Sequence, residues 1–289
     1  MPSDSVSIER THESNGVVRC MAGAALGHGG VRRGRSVTDR YDRALLLSGP
    51  KRDVVLGLWE VQRYGLDSYG DENYVSLYGM QPAEWHARGV RVLGRTAVEC
   101  MRDVLARAIA QDVAAGAASR SHRPATWVID PFAGSGNTLH WLAHHLPGAR
   151  AIGFELDAQV SDLTRRNVAA LGLAIDVVRR DYREGLAALS TADHDRFVVF
   201  IAPPWGRALD PVRGLDLRST EPPVADVVQR VVESFAPRPV LCAIQLYEQS
   251  DAASVREVAR LFDASEVRMY ACNAPGQNHG ILLGERNWS

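Results

Sequence analysis

The stretch WVIDPFAGSGNT, Trp127 to Thr138, holds the first residues whose types and spacing could do chemistry. An apolar run, Trp127, Val128 and Ile129, ends in Asp130, and Gly134 and Gly136 then let the backbone turn tightly and come close to a ligand. Asn137 and Thr138 open the helix that follows, and Phe132 lies inside the turn. A strand, a glycine turn and a helix start, in that order, present backbone N–H groups and the positive end of a helix dipole at the carboxyl edge of a sheet. That is the design of a cofactor site, with an ordinary loop as the competing reading of so short a glycine pattern.

The kind of cofactor follows from what accompanies the glycines. A dinucleotide fingerprint needs a third glycine three residues after Gly136, where Leu139 stands, and the P-loop lysine is absent. Asp130 ends the first strand, and Glu155, followed by Leu156, ends the next. Two such acids suit a ligand with a cationic amino-acid part and a ribose, a description that S-adenosylmethionine meets. Further on, Asp181 and Tyr182 end a third strand, and Ala202, Pro203, Pro204 and Trp205 follow a fourth. Open α/β sheets bind ligands beyond the carboxyl ends of their strands, so a single crevice is expected to collect all of these residues.

The elements that must position them can be read from periodicity. Thr96 to Val113 repeats apolar residues at helical spacing, with Thr96 and Glu99 set as a capping box. Beyond it strand and helix alternate, which calls for a mostly parallel sheet with helices on both faces. Strands are expected at 127–130, 151–155, 175–178, 197–201 and 239–246, the fourth being wholly apolar and therefore central. Helices are expected after Asp157 and over 224–235 and 252–262, and two last strands, near 267–272 and 281–284, flank APGQNHG as a closing hairpin. The class is thus α/β, with seven strands.

Ahead of this unit lies a segment rich in aromatics: Trp59, Tyr64, Tyr69, Tyr74, Tyr78 and Trp85. Flat side chains with one polar handle can line a pocket for a planar ligand or form a small satellite core. On the first reading Trp59, Tyr64 and Tyr74 are candidates to touch the substrate, and Tyr64 to Trp85 with the 207–222 loop form a lid. We divide the chain into a flexible tail over 1–36, an accessory cap over 37–95 and a catalytic domain over 96–289.

Composition narrows the partners. A net charge of −1 argues against an extended grip on nucleic acid, although Arg32, Arg33 and Arg35 form a local basic run. Of the 33 basic residues only Lys51 is a lysine, a compositional bias without functional content. Cys20, Cys100, Cys242 and Cys272 show no metal-ligand spacing, so no metal site is expected and a reduced, cytoplasmic protein is the simplest reading. No apolar run is long enough to span a bilayer.

DPFAGSGNT, GFELD, RDY and APPWG together resemble the class I S-adenosylmethionine-dependent methyltransferases, over about residues 96–289. APPWG is similar to the amino-methyltransferase signature, and with DPFAGSGNT it looks like the trimethylguanosine synthase branch, which methylates a guanine amine. The resemblance implies a Rossmann-like fold with Asp130, Gly134 and Gly136 on the methionine part and Asn137 and Thr138 beside it. Glu155 would take the ribose hydroxyls, Asp181 and Tyr182 the adenine, and Ala202 to Trp205 would face the acceptor. The chain departs from the family at Ala202, where Asn, Asp or Ser is usual. Backbone carbonyls held by the two prolines would then orient the amine, with Trp205 stacked on a flat acceptor.

The leading expectation is N-methylation of a planar, nucleobase-like or heteroaromatic small molecule. RNA cap-type guanine methylation is one alternative, with arginines of the 32–52 region on phosphates; a catalytically silent S-adenosylmethionine-binding protein is another. A nicotinamide oxidoreductase ranks behind them.

Overall fold

The computed structural model describes residues 40–210, 212–271 and 278–288. The tail expected over 1–36, with Arg32, Arg33, Arg35 and Cys20, lies outside the described residues, as do Cys272 and the first four residues of APGQNHG.

The described residues begin with four helices, α1 (Arg43–Leu47), α2 (Leu58–Tyr69), α3 (Pro82–Ala87) and α4 (Gly94–Glu99), followed by the long α5 (Asp103–Arg120). Alternation then sets in: β1 (Trp127–Asp130), α6 (Asn137–His145), β2 (Arg150–Glu155), α7 (Ala158–Leu171), β3 (Asp176–Arg179), α8 (Tyr182–Ala187) and β4 (Phe197–Ile201). A small hairpin, β5 (Leu209–Asp210) and β6 (Gly214–Leu215), precedes α9 (Val224–Phe235), β7 (Val240–Tyr247), α10 (Ala252–Ala259), β8 (Ala264–Tyr270) and β9 (His279–Arg286).

Seven strands form one sheet in the order β3-β2-β1-β4-β7-β9-β8. Pairings are parallel from β3 through β7, and β9 runs antiparallel to both β7 and β8. The chain builds outward from β1 to β3, then returns to lay β4 on the other side of β1, so the order reverses between β1 and β4. Such a reversal opens a crevice at the carboxyl edge, because the connections leave in opposite directions.

Why these segments are strands is visible in their burial. Every residue of β1 and β4 is buried, as strands covered on both faces must be. Alternate side chains feed two cores: Trp127, Ile129, Phe197, Val199 and Ile201 meet α9, whose Val224, Val227, Val228, Val231 and Phe235 recur at helical spacing. Val128, Val198 and Phe200 meet Leu105, Ile109 and Val113 of α5 and Leu139 and Leu142 of α6. Each such side chain, fully buried, contributes about 1.5–3 kcal/mol before chain entropy is subtracted. Asp157 caps α7 as its sequence position suggests, accepting from the N–H groups of Gln159 and Val160 at 2.9 and 3.1 Å.

One expected helix is two. The span from Thr96 to Val113 breaks at Cys100 to Arg102, where Cys100 (ψ 136°) and Arg102 (ψ 159°) are extended. Thr96 lies inside α4 and forms no capping box. The break follows from long-range bonding: the Asp103 carboxylate accepts from Gly79 N, Asn137 Nδ2 and Trp141 Nε1 at 2.9, 3.0 and 2.7 Å.

Of the two readings of the aromatic segment, the satellite core is the one that most of its rings follow. Tyr64, Trp85, Leu77 and Val92 form a third core of their own, and Trp85 Nε1 donates to Val75 O at 2.9 Å. Most of its rings are therefore packing, which a sequence pattern cannot distinguish from a ligand cage.

Candidate active site

The donor side is built on the turn between β1 and α6. Gly134 (φ 49°) and Gly136 (φ 72°) occupy the left-handed region that other residues enter only with strain. A Cβ on Gly136 would press the Thr164 and Ile175 side chains at 3.2 and 3.4 Å, so the turn is also held from beneath. Gly153 of β2 lets it settle: a Cβ there would stand 2.6 Å from that of Ala133. Thr164 Oγ1 donates to Gly134 O at 2.7 Å, and Ala133 N donates to Phe154 O at 2.9 Å. The loop is a rigid cradle.

Asp130 is buried at the foot of this cradle, its Oδ1 accepting from Phe132 N at 2.9 Å. Burial pushes its carboxyl up to about 7; the Phe132 bond opposes the rise and the nearby Glu155 charge adds to it. Glu155 accepts from Gly134 N (3.0 Å) and Asp157 N (2.8 Å), and burial raises its carboxyl too, against those two bonds. Each of its oxygens keeps a second lone pair for a hydroxyl. Beside it Leu156 stands 68% exposed at the strand end, an apolar surface left uncovered at the crevice.

Asn137 and Thr138 are placed differently from a ligand contact. Asn137 is fully buried: its amide donates to Met101 O (2.8 Å) and Asp103, and its oxygen accepts from Tyr78 N at 2.7 Å. Thr138 is buried with its hydroxyl 3.6 Å from Met101 Sδ. Both fasten the turn to the N-terminal segment. Tyr78 completes the clamp by donating its hydroxyl to Ser135 O, from a left-handed backbone (φ 55°) unusual for a tyrosine.

Asp181 caps α8 and forms a two-pronged pair with Arg183, Nε on Oδ1 at 2.9 Å and Nη2 on Oδ2 at 2.8 Å. That pairing comes first among the causes that hold its carboxyl below the ordinary range. An adenine amine would share Asp181 with Arg183. Tyr182 is buried, its ring 5.3 Å from that of Phe132, and the two make an apolar floor beside the turn.

On the acceptor side, Ala202 is half-buried, Pro203 buried, Pro204 exposed and Trp205 half-buried. The Trp205 indole stacks on the His279 imidazole (centroids 5.7 Å apart, planes 23° apart), and Tyr247 meets both edge-on at 6.1 and 6.0 Å. Gln245 Nε2 lies 3.4 Å from His279 Nδ1. Burial, helped by the positive charge of Arg102 and opposed by Glu248, lowers the His279 imidazole to about 4, so it is neutral at physiological pH. The strand register brings this about: Tyr247 pairs with His279, one strand over from the β4 end that carries the prolines.

Of the three aromatics expected on the substrate, Tyr64 is a correction. It is 0% exposed, with its hydroxyl 3.3 Å from that of Tyr69, and presents nothing to a ligand. Tyr74 is half-buried, stacked on Tyr69 at 3.5 Å and covered by the Arg102 guanidinium at 4.2 Å. Trp59 is 63% exposed, edge-on to Tyr41. The 207–222 loop is strapped down: Leu215 N donates to Gln249 O, Asp251 N to Leu215 O, and Arg218 pairs with Asp216 and Asp251. Val212 and Arg213 at its tip, and Arg207 and Glu221 at its ends, stand exposed. Tyr78, Arg102, Asp103, Tyr247 and His279 were not singled out for these places from sequence. His279 falls in the recognised APGQNHG turn, but register alone decides what it faces. Among the described residues no cluster of metal-ligating side chains occurs.

The sheet order, the antiparallel last strand and the glycine cradle define the class I methyltransferase fold. No family model matches the chain. A curated relative, a 4-amino-L-phenylalanine/4-methylamino-L-phenylalanine methyltransferase from Streptomyces pristinaespiralis, is 29% identical over 209 residues, 70% of this chain and 67% of its own length. Among solved structures, magnesium protoporphyrin IX methyltransferase from Synechocystis PCC 6803 is 18% identical over 63% of this chain and 79% of its own (TM-score 0.41). TrmN from Thermus thermophilus is 20% identical over 66% and 51% (TM-score 0.42). With that curated relative and this cradle, the protein is an S-adenosylmethionine-dependent methyltransferase. The residues of the cradle fit such a donor in kind: a buried acid and a half-buried acid at the ends of β1 and β2, and a glycine at 136 where a Cβ would press on its neighbours.

Proposed function

We propose that this enzyme N-methylates an aromatic amine on a small molecule, of the arylamine amino-acid kind taken by its relative. The observation that carries this reading is the Trp205–His279 stack, with Trp205 just after β4, the strand that pairs with β1 of the cradle. A flat indole face at half exposure suits a flat acceptor, and it leaves an amine in the plane of the ring free to point at the donor. When bound, the sulfonium donor would supply an activated methyl to the amine lone pair, its sulfur leaving as a neutral thioether and the methylated nitrogen giving up its proton to water.

The chain's contribution is positioning. Asp130 pairs with the ammonium of the donor's methionine part while Gly134 and Gly136 bring the backbone close; Glu155 holds the ribose, with Phe132, Leu156, Asp181 and Tyr182 around the adenine. Asn137 and Thr138 act from behind, by fixing the turn. Pro203 and Pro204 hold the backbone at Ala202 so that its carbonyl, in place of the polar side chain usual there, accepts from the amine. Such alignment is the main requirement of a direct displacement. Residues 37–95 serve as the cap over this site and 96–289 as the catalytic unit. The free thiols of Cys100 and Cys242 suit a reducing compartment.

The RNA reading finds less support. Of the described cations of that region, Lys51 and Arg52 are engaged with Glu60 and Asp53 at 2.7 and 2.8 Å, and Arg40 donates to Asp67 O at 3.0 Å. Incubation with S-adenosylmethionine and 4-amino-L-phenylalanine, followed by mass spectrometry, tests the proposal: one and then two methyl additions on the aryl nitrogen are expected. Donor binding without product across an arylamine panel would sink it.

A further inference from the structure

β8 is the last strand of the sheet: it pairs with β9 along its whole length, and among the described residues no strand pairs with its other edge. Seven residues of such edge, with no proline among them, form a template for a further strand. Glu266, Arg268 and Tyr270 turn toward α5, where Arg120 pairs with Glu266 at 2.6 Å, Arg268 with Asp112 at 3.6 Å, and Tyr270 donates its hydroxyl to Asp112 at 2.9 Å. Ser265, Val267 and Met269 alternate onto the opposite face, where Val267 is 51% and Met269 50% exposed.

The order of residues along β8 suits it to a copy of itself. Two antiparallel copies related by a two-fold axis must set one residue against itself, because opposed residues share a face of the sheet. Centred on Val267, the pairing engages the whole of Ala264–Tyr270 and sets Glu266 against Arg268 and Ser265 against Met269. Centred on Glu266 or on Arg268, it shortens the overlap and brings like charges face to face, which is unfavourable. Within one strand Arg268 Nη2 already meets Glu266 Oε1 at 2.7 Å, so two copies close a square in which every charge is flanked by its opposite. The longest overlap and the best electrostatic match are therefore the same register. A net charge of −1 leaves little repulsion between whole chains.

We propose that two copies of this chain join through β8, antiparallel about a two-fold axis at Val267, so that their sheets become continuous. β7 and β9 separate β8 from β4, so the pairing leaves the acceptor side of both copies open and does not depend on the identity of the acceptor.

Sedimentation of the full chain is expected to give twice its mass of 31.6 kDa. Val267→Lys sets two cations on the axis at a position exposed in the single chain. It should raise the dimer dissociation constant by about tenfold or more and leave the S-adenosylmethionine Kd unchanged. Under mild oxidation Val267→Cys should link the two copies above the wild-type background, its Cβ atoms being about 5 Å apart across the axis. Ser265→Cys, held about 13 Å from its own copy, should not. Should Val267→Lys fail to fold, the two cysteine variants decide the matter alone. A wild type that stays monomeric at every concentration would overturn the pairing. So would a dimer indifferent to Val267→Lys, which assigns association to another face, or equal cross-linking at 265 and 267, which denies the register.

Discussion

Asp130 carries the sharpest prediction at the scale of single residues. Its folded carboxyl titrates near 7, above the unfolded value near 3.9, so the native state holds its proton longer than the unfolded chain does. The stabilisation this proton provides is complete below about pH 4 and is lost as pH rises through about 7. Donor binding runs the other way, because an ammonium needs the ionised acid. S-adenosylmethionine affinity measured by calorimetry is expected to rise between pH 6 and 8, and Asp130→Asn should weaken it by about tenfold or more while flattening the rise. A pH-independent affinity in the wild type would exclude the ammonium pairing. Trp205→Ala should leave donor affinity alone and lower kcat/KM by about 10- to 100-fold, the worth of a lost stacking face. Equal loss of donor binding in both variants would contradict the division of roles.

Among the elements, the β1–α6 turn depends on β2 running beside it with no side chain at Gly153. Gly153→Ala puts a methyl 2.6 Å from Ala133 Cβ and 3.1 Å from Leu139 Cδ2, so strand and turn must move apart. A loss of about 1–3 kcal/mol in denaturant unfolding is expected, accompanied by weaker donor binding. Stability lost with donor affinity kept would show that the turn tolerates the shift. α5 makes the complementary point. A continuous helix from Thr96 would satisfy its own backbone, yet the chain breaks it so that Met101 and Asp103 can reach Asn137.

For the molecule as a whole, the N-terminal helices are not an appendage. Asn167 of α7 exchanges two hydrogen bonds with the Arg91 backbone (2.9 and 2.8 Å), Arg95 pairs with Asp157 at 2.8 Å, and Asp103, Asn137 and Tyr78 close the circuit at the donor turn. Asp103→Ala leaves Trp141 Nε1 and Gly79 N without their acceptor. It should cost about 2–4 kcal/mol and raise the donor Kd, since the turn loses its outer brace. Destabilisation with an unchanged donor Kd would mean that the cap and the cradle are mechanically independent.

Local chemistry let the sequence by itself determine the cradle, the α/β alternation, the central fully apolar strand and the donor. Glycine torsions, strand-end acids and hydrophobic periods are properties of neighbouring residues, and they need no partner from elsewhere in the chain. Only the tertiary structure decided that Tyr64 and Trp85 are core, that Asn137 braces the turn from behind, and that one helix is two. It alone set His279 against Trp205, two strands and more than seventy residues apart. Those outcomes depend on register and on which donor meets which acceptor across the fold, a competition between long-range bonds and local propensity that no window of sequence contains.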